Sequence, residues 1–385
     1  MSQPGKNFET GHVASISTTH LLHDIYTSFF APLIPLLSEK LGFAYAMAGT
    51  LSVVQRLPSL LNPFIGILAD RVLIRSGIVL CPVITILAMG ALGLAPSITM
   101  LALLMFVSGI SAAVYHVTAP VLMRRVSGDK VGRGMSFFMF GGEMARTVGP
   151  LLVTAAVSWW GLEGIWKLIP VGLVASLLLF LNLRTINKDG LRHFSTPAKE
   201  SLTNSFKGMA PLFRTMLPIM FFRGFSKTSL TLFLPSYMVD HGHSFKMAAA
   251  ALAVLELAGA LGALGAGTLS DKVGRKKVLL AIMLISPVLM YVFTLTSGFA
   301  LWLLLVAMGL VFFASTPVFM AMIHDLNSDR PSLANGLFMT MNFAAGSAIA
   351  LLIGLFADRF GLTLTYKITA LLGLLAIPST MAMKE

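Results

Sequence analysis

The sequence predicts an all-α membrane protein in which twelve transmembrane helices form two pseudo-symmetric six-helix halves. Composition is the first reason: of 385 residues, 56% are apolar and only 11% are charged, whereas a soluble globular domain has about 25% charged residues. The mean hydropathy is +0.84. The other two reasons are apolar runs long enough to cross a bilayer and an internal repeat.

The apolar residues are grouped in runs that match the thickness of a bilayer, which takes roughly 20 helical residues to cross. Buried helices of a large soluble protein would be shorter and separated by polar stretches, so that alternative is disfavoured. We predict twelve spans, at 14–38, 46–69, 76–94, 97–122, 134–158, 164–183, 214–239, 246–270, 277–296, 299–323, 331–358 and 363–382.

One short segment occurs twice, each time at the end of an apolar run. The first copy is Gly66-Ile-Leu-Ala-Asp70-Arg71-Val72, and the second is Gly267-Thr-Leu-Ser-Asp271-Lys272-Val273-Gly274-Arg275. Pro35 and Pro235 extend the repeat towards the N-terminus of each half. A chain built from two copies of one membrane unit is typical of a transporter.

Positive charge falls mainly on alternate connections between the spans, and this pattern predicts the topology. By the positive-inside rule the basic connections and both termini lie in the cytoplasm, as in a multi-pass protein of the bacterial inner membrane. The net charge of +12 is therefore a topology signal, and we predict no nucleic-acid partner. The longest connection divides the chain into an N-terminal half at 1–190, a cytoplasmic linker at 191–213 and a C-terminal half at 214–385.

These residues resemble the major facilitator superfamily, in which a G-x-L-x-D-[RK]-x-G-R-[RK] signature follows helices 2 and 8. The second copy is nearly complete, while the first departs from the pattern at Leu73. A closer resemblance is to the fosmidomycin-resistance branch of drug exporters. It is carried by Ser17-Thr-Thr-His20-Leu-Leu-His23-Asp24, Val114-Tyr115-His116 and Gly141-Gly142 with Gly149-Pro150. The resemblance implies the major facilitator fold, with helices 1, 4, 7 and 10 lining a central cavity.

The signature residues are expected to form a conformational latch. The two leading glycines would allow close approach of helices, and each aspartate would face the positive end of a neighbouring helix. The following basic residues could bridge to acidic groups, and the latch would break during transport. The alternative is that the signature sets topology alone. The latch residues are Gly66, Asp70, Arg71, Gly267, Asp271, Gly274 and Arg275.

Ionisable side chains inside the predicted spans are costly in hydrocarbon, which makes them candidates for function. None lies in the middle of span 3, 6, 9 or 12, which the resemblance places at the periphery. They are His20, His23, Asp24, Arg56, His116, Glu143, Arg146, Arg223, Lys227 and Glu256.

Asp24 is the leading candidate for proton coupling. A carboxylic acid in a low-dielectric site binds its proton more tightly than in water, and histidines titrate near neutral pH. His20 and Asp24, four residues apart, share a helix face, whereas His23 and Asp24 are adjacent and are expected to diverge. The alternative is a permanent ion pair of Asp24 with Arg223, Lys227 or another cation. The predicted coupling residues are Asp24, His20, His23, Glu143 and Glu256.

The interior cations predict the charge of the solute. They outnumber the interior carboxylates by four to three, and guanidinium groups bind carboxylates and phosphonates in a bidentate manner. We therefore expect an anionic or zwitterionic solute, bound by Arg56, His116, Arg146, Arg223 and Lys227. The alternative is an internally neutralised network of Glu143 with Arg146, Asp24 with Lys227, and Arg56 with Glu256.

The sequence thus predicts a proton-coupled transporter with no cofactor and no enzymatic activity, acting as a monomer. The resemblance favours an exporter of a small polar or anionic compound, such as an antibiotic, a carboxylate metabolite or a siderophore. One alternative is a proton symporter that imports an organic anion. Another is a transition-metal transporter that uses His20, His23, Asp24 and His116, although no metal is expected because basic residues lie nearby and thiolates are absent.

Overall fold

The computed structural model describes residues 8–62, 64–65, 74–128, 130–183, 202–325 and 331–383, and within these ranges the regular structure is entirely helical. The chain divides into two compact units. The first unit contains Met1–Leu41 and Val54–Ser195, and the second contains Gly42–Val53 and Thr196–Glu385.

The helices of the N-terminal half follow the first six predicted spans. The first span is divided into two helices because Pro32 has no N–H to donate to the carbonyl of Ser28. Three short 3₁₀ helices lie at Leu57–Leu61, Leu92–Leu94 and Glu163–Lys167. The α-helices are α1 (Thr10–Thr27), α2 (Phe30–Leu41), α3 (Tyr45–Arg56), α4 (Ile74–Gly90), α5 (Ile98–Val126), α6 (Val131–Trp160) and α7 (Leu168–Leu183).

The helices of the C-terminal half follow the remaining six predicted spans. They are α8 (Leu202–Asp240), α9 (Phe245–Val273), α10 (Arg275–Phe293), α11 (Phe299–Phe312), α12 (Ser315–Asp325), α13 (Pro331–Leu374) and α14 (Ala376–Met381). Gly361, with φ 75° and ψ 160°, breaks α13 between the last two predicted spans. Helix α8 begins at Leu202, so residues 202–213 of the predicted linker are helical, and the linker residues before 202 lie outside the described residues.

Seven helical stretches among the described residues are long and apolar enough to cross a membrane. Large apolar side chains are exposed on their surfaces, as at Phe299, which is 76% exposed, and Val171, which is 65% exposed. Helices α6 and α8, with 30 and 39 residues, are also long enough to cross. They carry four of the interior charges, at Glu143, Arg146, Arg223 and Lys227.

Helix α1 is at the centre of the first unit, where it packs against α4, α5, α6 and α7. Val13 and Ile16 of α1 join Ile78 and Cys81 of α4 and Tyr115 of α5 in one buried core. In the second unit, α8 packs against α9 and α13. The contact of α1 with α6 and the contact of α8 with α13 occupy equivalent positions in the two halves, as the sequence repeat predicts.

Candidate transport site

Three histidines converge on the carboxylate of Asp24 in the first unit. Asp24 Oδ2 lies 3.2 Å from His20 Nε2, and Oδ1 lies 2.9 Å from His23 Nδ1 and 3.5 Å from His116 Nε2. His20 and His23 are buried, whereas the His116 side chain is 40% exposed. The structure therefore brings together four residues that the sequence assigned to coupling and solute binding.

One detail of this cluster differs from the prediction. His23 and Asp24 were expected to diverge because adjacent helical residues point in directions about 100° apart. The prediction was wrong, since the carboxylate turns back and lies in contact with the His23 ring. The Asp24 side chain is short and can rotate towards His23 on the same turn. The directions in which the two residues leave the helix axis therefore do not decide whether their side chains meet.

In His20 and His116, the ring nitrogen on the side away from Asp24, here called the outer nitrogen, is bound to a backbone carbonyl. His20 Nδ1 lies 2.8 Å from the Phe138 carbonyl oxygen, and His116 Nδ1 lies 2.9 Å from that of Ala112. A carbonyl oxygen can only accept a hydrogen bond, so each Nδ1 carries a hydrogen. In the neutral rings, both Nε2 atoms then present lone pairs to Asp24.

The outer nitrogen of His23 is held by a chain of hydroxyl groups. His23 Nε2 lies 3.0 Å from Thr85 Oγ1, and Thr85 Oγ1 lies 2.7 Å from Ser111 Oγ. Ser111 donates its hydrogen to the Cys81 carbonyl at 2.6 Å. Thr85 therefore donates to Ser111 and accepts from His23 Nε2, which leaves the Nδ1 lone pair of the neutral ring facing Asp24.

These hydrogen bonds decide what the cluster can do chemically. When Asp24 is ionised and the rings are neutral, three nitrogen lone pairs face a carboxylate with no hydrogen between them. Each proton added to the cluster replaces one of these repulsive contacts by a charge-assisted hydrogen bond. The geometry thus suits a group that gains and loses protons, and His116 provides its exposed edge.

Packing keeps the rings in place. His20 stacks on Phe138 with ring centroids 3.9 Å apart, and His23 stacks on Tyr115 at 4.5 Å. A Cβ atom at Gly142 would lie 2.5 Å from His20 Cε1, and one at Gly141 would lie 2.5 Å from the Ser17 carbonyl oxygen. The glycine pair is therefore required for α6 to approach α1 at the histidine cluster.

The cluster also has the geometry of a small metal site. One ligand atom each of His20, Asp24 and His116 lie within 4.8 Å of one another. Histidine nitrogens whose outer N–H groups are bound to carbonyls are common in metal centres. Arg146, whose charge acts on His116, opposes a dication at this position.

The charged residues of α6 form the pair that the sequence offered as an alternative to solute binding. Arg146 Nη2 is in contact with Glu143 Oε1, three residues earlier. The Arg146 side chain is 43% exposed and that of Glu143 is 18% exposed. Arg56, at the end of α3, is half-buried and has no ion pair with a described residue of its own unit.

The cations of the second unit are engaged with protein atoms. Arg223 is buried and donates from Nη1 to the Phe312 carbonyl at 3.1 Å and to Ser315 Oγ at 2.5 Å. The Lys227 ammonium lies 4.6 Å from the centre of the Phe313 ring, and Glu256 is buried.

The ion pairs of Asp24 with helix 7 and of Arg56 with Glu256 would join residues of different units, and they remain predictions.

The second copy of the signature forms an ion network. Arg275 contacts Asp271 through Nη1 and lies 3.2 Å from Asp325 through Nε. Gly274 has φ 104° and separates α9 from α10, which explains why glycine stands there. The open space beside Gly267 does not match the predicted role in close packing, because no described residue approaches it. The first copy, with Gly66, Asp70 and Arg71, lies outside the described residues.

The sequence interpretation missed two sets of residues. Thr85 and Ser111 were overlooked because single hydroxyl residues in apolar helices carry no motif. Asp358 was overlooked although a signal was present, since Gly354-Leu-Phe-Ala-Asp358-Arg359-Phe-Gly361 repeats the signature pattern G-x-x-x-D-[RK]-x-G.

The helices and the buried ionisable cluster together define a polytopic helical membrane protein of the transporter class. The profile of the Major Facilitator Superfamily matches residues 16–265 and 216–383. The chain belongs to this superfamily, and the predicted fold class and family are confirmed. It is therefore a multi-pass integral membrane protein with a small-molecule substrate.

Two relatives are similar over nearly the whole chain. The fosmidomycin resistance protein of Escherichia coli (strain K12) is 26% identical over 375 residues, which cover 95% of this chain and 91% of the relative. The uncharacterized MFS-type transporter YfnC of Bacillus subtilis (strain 168) is 24% identical over 384 residues, which cover 96% and 93%.

Solved structures share the fold at lower identity. A D-xylose-proton symporter matches with a TM-score of 0.80 at 14% identity, covering 98% of both chains. A bacterial homologue of the human lysosomal transporter Spinster, inward-facing and occupied, also has a TM-score of 0.80, at 16% identity, covering 99% of this chain and 97% of the other. The nucleoside transporter NupG has a TM-score of 0.73 at 14% identity, covering 98% of both chains.

Proposed function

We propose that the protein is a proton-coupled secondary active transporter that exports a small polar or anionic compound, such as an antibiotic, a carboxylate metabolite or a siderophore. The observation that carries the proposal is the convergence of His20, His23 and His116 on Asp24. Three hydrogen-bonded rings whose lone pairs meet one carboxylate form a site that can gain and lose protons.

The transport cycle depends on whether the Asp24 cluster has bound or released its protons. Protonation removes the repulsion at Asp24, and deprotonation restores it, so the two forms favour different arrangements of α1, α5 and α6. A conformational equilibrium moves only when a ligand interacts differently with its two states. A proton at Asp24 meets that condition because it changes the contacts of residues on α1 and α5 at once.

The direction of transport and the charge of the solute are supported by different observations. Export is favoured by the similarity to a protein named for fosmidomycin resistance. Among the cations assigned to the solute, Arg146 and His116 are the most exposed, at 43% and 40%, so these two are the best placed to meet an anionic group. Glu143 would hold Arg146 in position while the site is empty, and Glu256 is a second proton carrier in the other unit.

The charge asymmetry of the loops supports placement in the bacterial inner membrane with both termini in the cytoplasm. In that orientation Asp271 would lie at the cytoplasmic face, and the sequence repeat assigns Asp70 to the same face, as expected for a latch that closes there. We propose a monomer as the transporting species, because each unit contains its own buried core.

The proposal is tested in proteoliposomes that contain a trapped pH-sensitive dye. Organic anions and zwitterions are added on either side, and proton movement is recorded for the wild type, Asp24→Asn and His12→Gln. His12 of α1 forms an exposed histidine–carboxylate pair at 2.6 Å with Glu9, the residue before that helix, which makes its variant a matched control. Asp24→Asn should lose solute-driven proton movement but keep solute exchange, while His12→Gln should behave like the wild type. Coupling at the wild-type level in Asp24→Asn would overturn the proposal.

A transition-metal transporter is the second candidate, supported by the three ligand atoms within 4.8 Å. Purified protein would be titrated with Co²⁺, whose absorption spectrum reports nitrogen and oxygen ligands. Micromolar binding that is lost in His20→Ala and His116→Ala, together with metal-driven proton movement, would favour this candidate over an organic solute. A proton symporter that imports an anion would reveal itself in the liposome assay by protons moving with the solute.

A further inference from the structure

Thr85 connects the Asp24 cluster to the interior of the helix bundle. Its side chain is fully buried, and its Oγ1 atom lies between His23 Nε2 at 3.0 Å and Ser111 Oγ at 2.7 Å. The chain ends at the Cys81 carbonyl, which accepts from Ser111 at 2.6 Å. Because this terminal group can only accept, the direction of every hydrogen bond back to His23 is fixed.

We propose that Thr85 is a positioning residue that fixes the tautomer of His23 and thereby sets the pH at which transport couples to protons; the inference rests on the proposed function. With the hydrogen held on Nε2 by Thr85, the Nδ1 atom of neutral His23 faces Asp24 as an acceptor, 2.9 Å away. A proton placed between Nδ1 and the carboxylate is then bound by both groups.

Removal of the Thr85 hydroxyl should weaken this proton site. In Thr85→Val the buried Nε2 atom has no acceptor, so the hydrogen moves to Nδ1, where it donates to the carboxylate of Asp24. The ionised form of Asp24 then gains a hydrogen bond without taking up a proton. We expect the pH of half-maximal proton coupling to fall by up to about one unit, which is a tenfold loss of proton affinity.

Other groups near His23 do not change in this variant. Those that face it or act on it through the cluster are Asp24 and His20 on α1, Tyr115 and His116 on α5, Cys81 on α4, and the Glu143–Arg146 pair on α6. Since valine has the shape of threonine, a shift in the pH profile reports the lost hydroxyl.

The experiment measures solute-driven proton movement as a function of pH for the wild type, Thr85→Val, Thr85→Ser and Thr118→Val. Serine keeps the hydroxyl and should restore the wild-type profile. Thr118 is a buried threonine whose hydroxyl bonds to the Val114 carbonyl of its own helix at 2.9 Å, so its valine variant should leave the profile unchanged. An unshifted or alkaline-shifted profile in Thr85→Val would overturn the inference.

A second measurement separates this inference from the proposed function. The ¹⁵N resonances of the His23 ring, recorded on ¹⁵N-histidine-labelled protein, show which nitrogen carries the hydrogen. We expect hydrogen on Nε2 in the wild type and on Nδ1 in Thr85→Val. This result stands even if the protein moves no protons, and the same tautomer in both proteins would overturn the role of Thr85.

The segment Gly354–Gly361, inside α13, supports a second inference. This segment repeats the pattern of Gly267–Gly274, and both copies end in a glycine with positive φ, 104° at Gly274 and 75° at Gly361. The two copies lie at opposite ends of the second unit. Near the Gly267–Gly274 copy, Arg275 contacts Asp325, the last residue of α12. Near the Gly354–Gly361 copy, Thr363, beyond the break in α13, contacts His241 at the end of α8 at 3.0 Å.

Asp358, the carboxylate of this segment, caps the first turn of α3. It accepts hydrogen bonds from the backbone N–H groups of Tyr45 at 2.7 Å and Ala46 at 2.9 Å. The Tyr45 hydroxyl donates to Asp240 Oδ2 at 2.6 Å. A Cβ atom at Gly354 would lie 2.5 Å from the Tyr45 carbonyl oxygen, so the backbones of α3 and α13 are in direct contact there.

We infer that Gly354–Gly361 is a third copy of the signature and acts as a latch at the end of the second unit opposite to Asp271. A carboxylate at a helix N-terminus is stabilised by the free N–H groups and by the helix dipole. Helix α3 starts within the second unit, whereas its last residues, from Val54 onwards, belong to the first. A movement of the start of α3 away from α13 during transport must release or strain this contact.

The test uses distances between spin labels attached at Ala44→Cys and Leu364→Cys, which are exposed positions on either side of the contact. Asp358→Asn should populate longer distances about two- to fivefold more than the parent protein. Arg359→Gln changes the neighbouring exposed charge and is the matched control. Tyr45→Phe keeps the backbone contacts and should give a smaller change, which guards against misfolding of the first variant. Identical distance distributions in all the variants would overturn the inference.

Discussion

Gly142→Ala should disrupt the histidine cluster without touching a titratable residue. The added Cβ would lie 2.5 Å from His20 Cε1 and 2.9 Å from Nε2, whereas carbon atoms pack at roughly 3.5–4.0 Å. The ring must therefore move by about 1 Å. A displacement of this size would lengthen or misalign the 2.8 Å bond to the Phe138 carbonyl and the 3.2 Å contact of the ring with Asp24.

The size of the effect follows from these contacts. Overpacking a close-packed site costs about 1–3 kcal/mol, and a lost hydrogen bond adds about 0.5–1.5 kcal/mol. We expect Gly142→Ala to be destabilised by about 2–4 kcal/mol and to lose most proton coupling. Thermal unfolding of the purified protein and the liposome assay measure the two effects.

Gly265→Ala is the control for the first measurement. No atom lies within 4 Å of a Cβ at Gly265 among the described residues, so alanine there should raise helix stability by up to about 1 kcal/mol. The decisive comparison is a double-mutant cycle with His20→Ala. If the clash is with the His20 ring, Gly142→Ala should cost almost nothing in that background. Equal costs in both backgrounds, or wild-type coupling in Gly142→Ala, would refute the reasoning.

The site geometry supports three further predictions. Arg146→Gln should weaken solute binding several-fold, and lysine at this position should restore it only in part. Arg223→Gln should mainly destabilise the fold, by about 1–3 kcal/mol, because its buried partners lose their donor. Solute binding and thermal unfolding are measured on both variants, and a loss of affinity without destabilisation in Arg223→Gln would contradict this prediction. Asp271→Asn should change the population of the latched state by at most about fivefold, since the exposed ion pair of Asp271 with Arg275 is worth about 0–1 kcal/mol. A larger shift in spin-label distances would show that Asp271 stabilises the latched state by more than this ion pair accounts for. Tyr115→Phe should lower stability by about 0.5–1.5 kcal/mol through loss of the bond to Thr19 at 3.0 Å but leave the pH profile of coupling intact, because the stacked ring remains; an altered profile would show that the hydroxyl takes part in proton binding.

The sequence alone determined the helical membrane architecture of this protein. Apolar runs report burial in lipid directly, because the transfer of each residue out of water depends on its own chemistry. The break at Gly361 could be predicted in the same way, since a glycine between two apolar runs permits the positive φ that ends a helix. The approach of His20 to Asp24 was also readable, because a spacing of four residues fixes a common face of one helix.

Contacts between helices were decided only by the tertiary structure. His116 reaches Asp24, and Thr85 reaches His23, because α5 and α4 pack on α1 with a particular rotation that no local pattern encodes. For the same reason Arg223, predicted to bind solute, uses Nη1 to satisfy a carbonyl of α11, and no described residue lies within 4 Å of a Cβ at Gly267. Periodicity fixes the face that a side chain occupies on its own helix, but the partner on that face depends on how neighbouring helices cross.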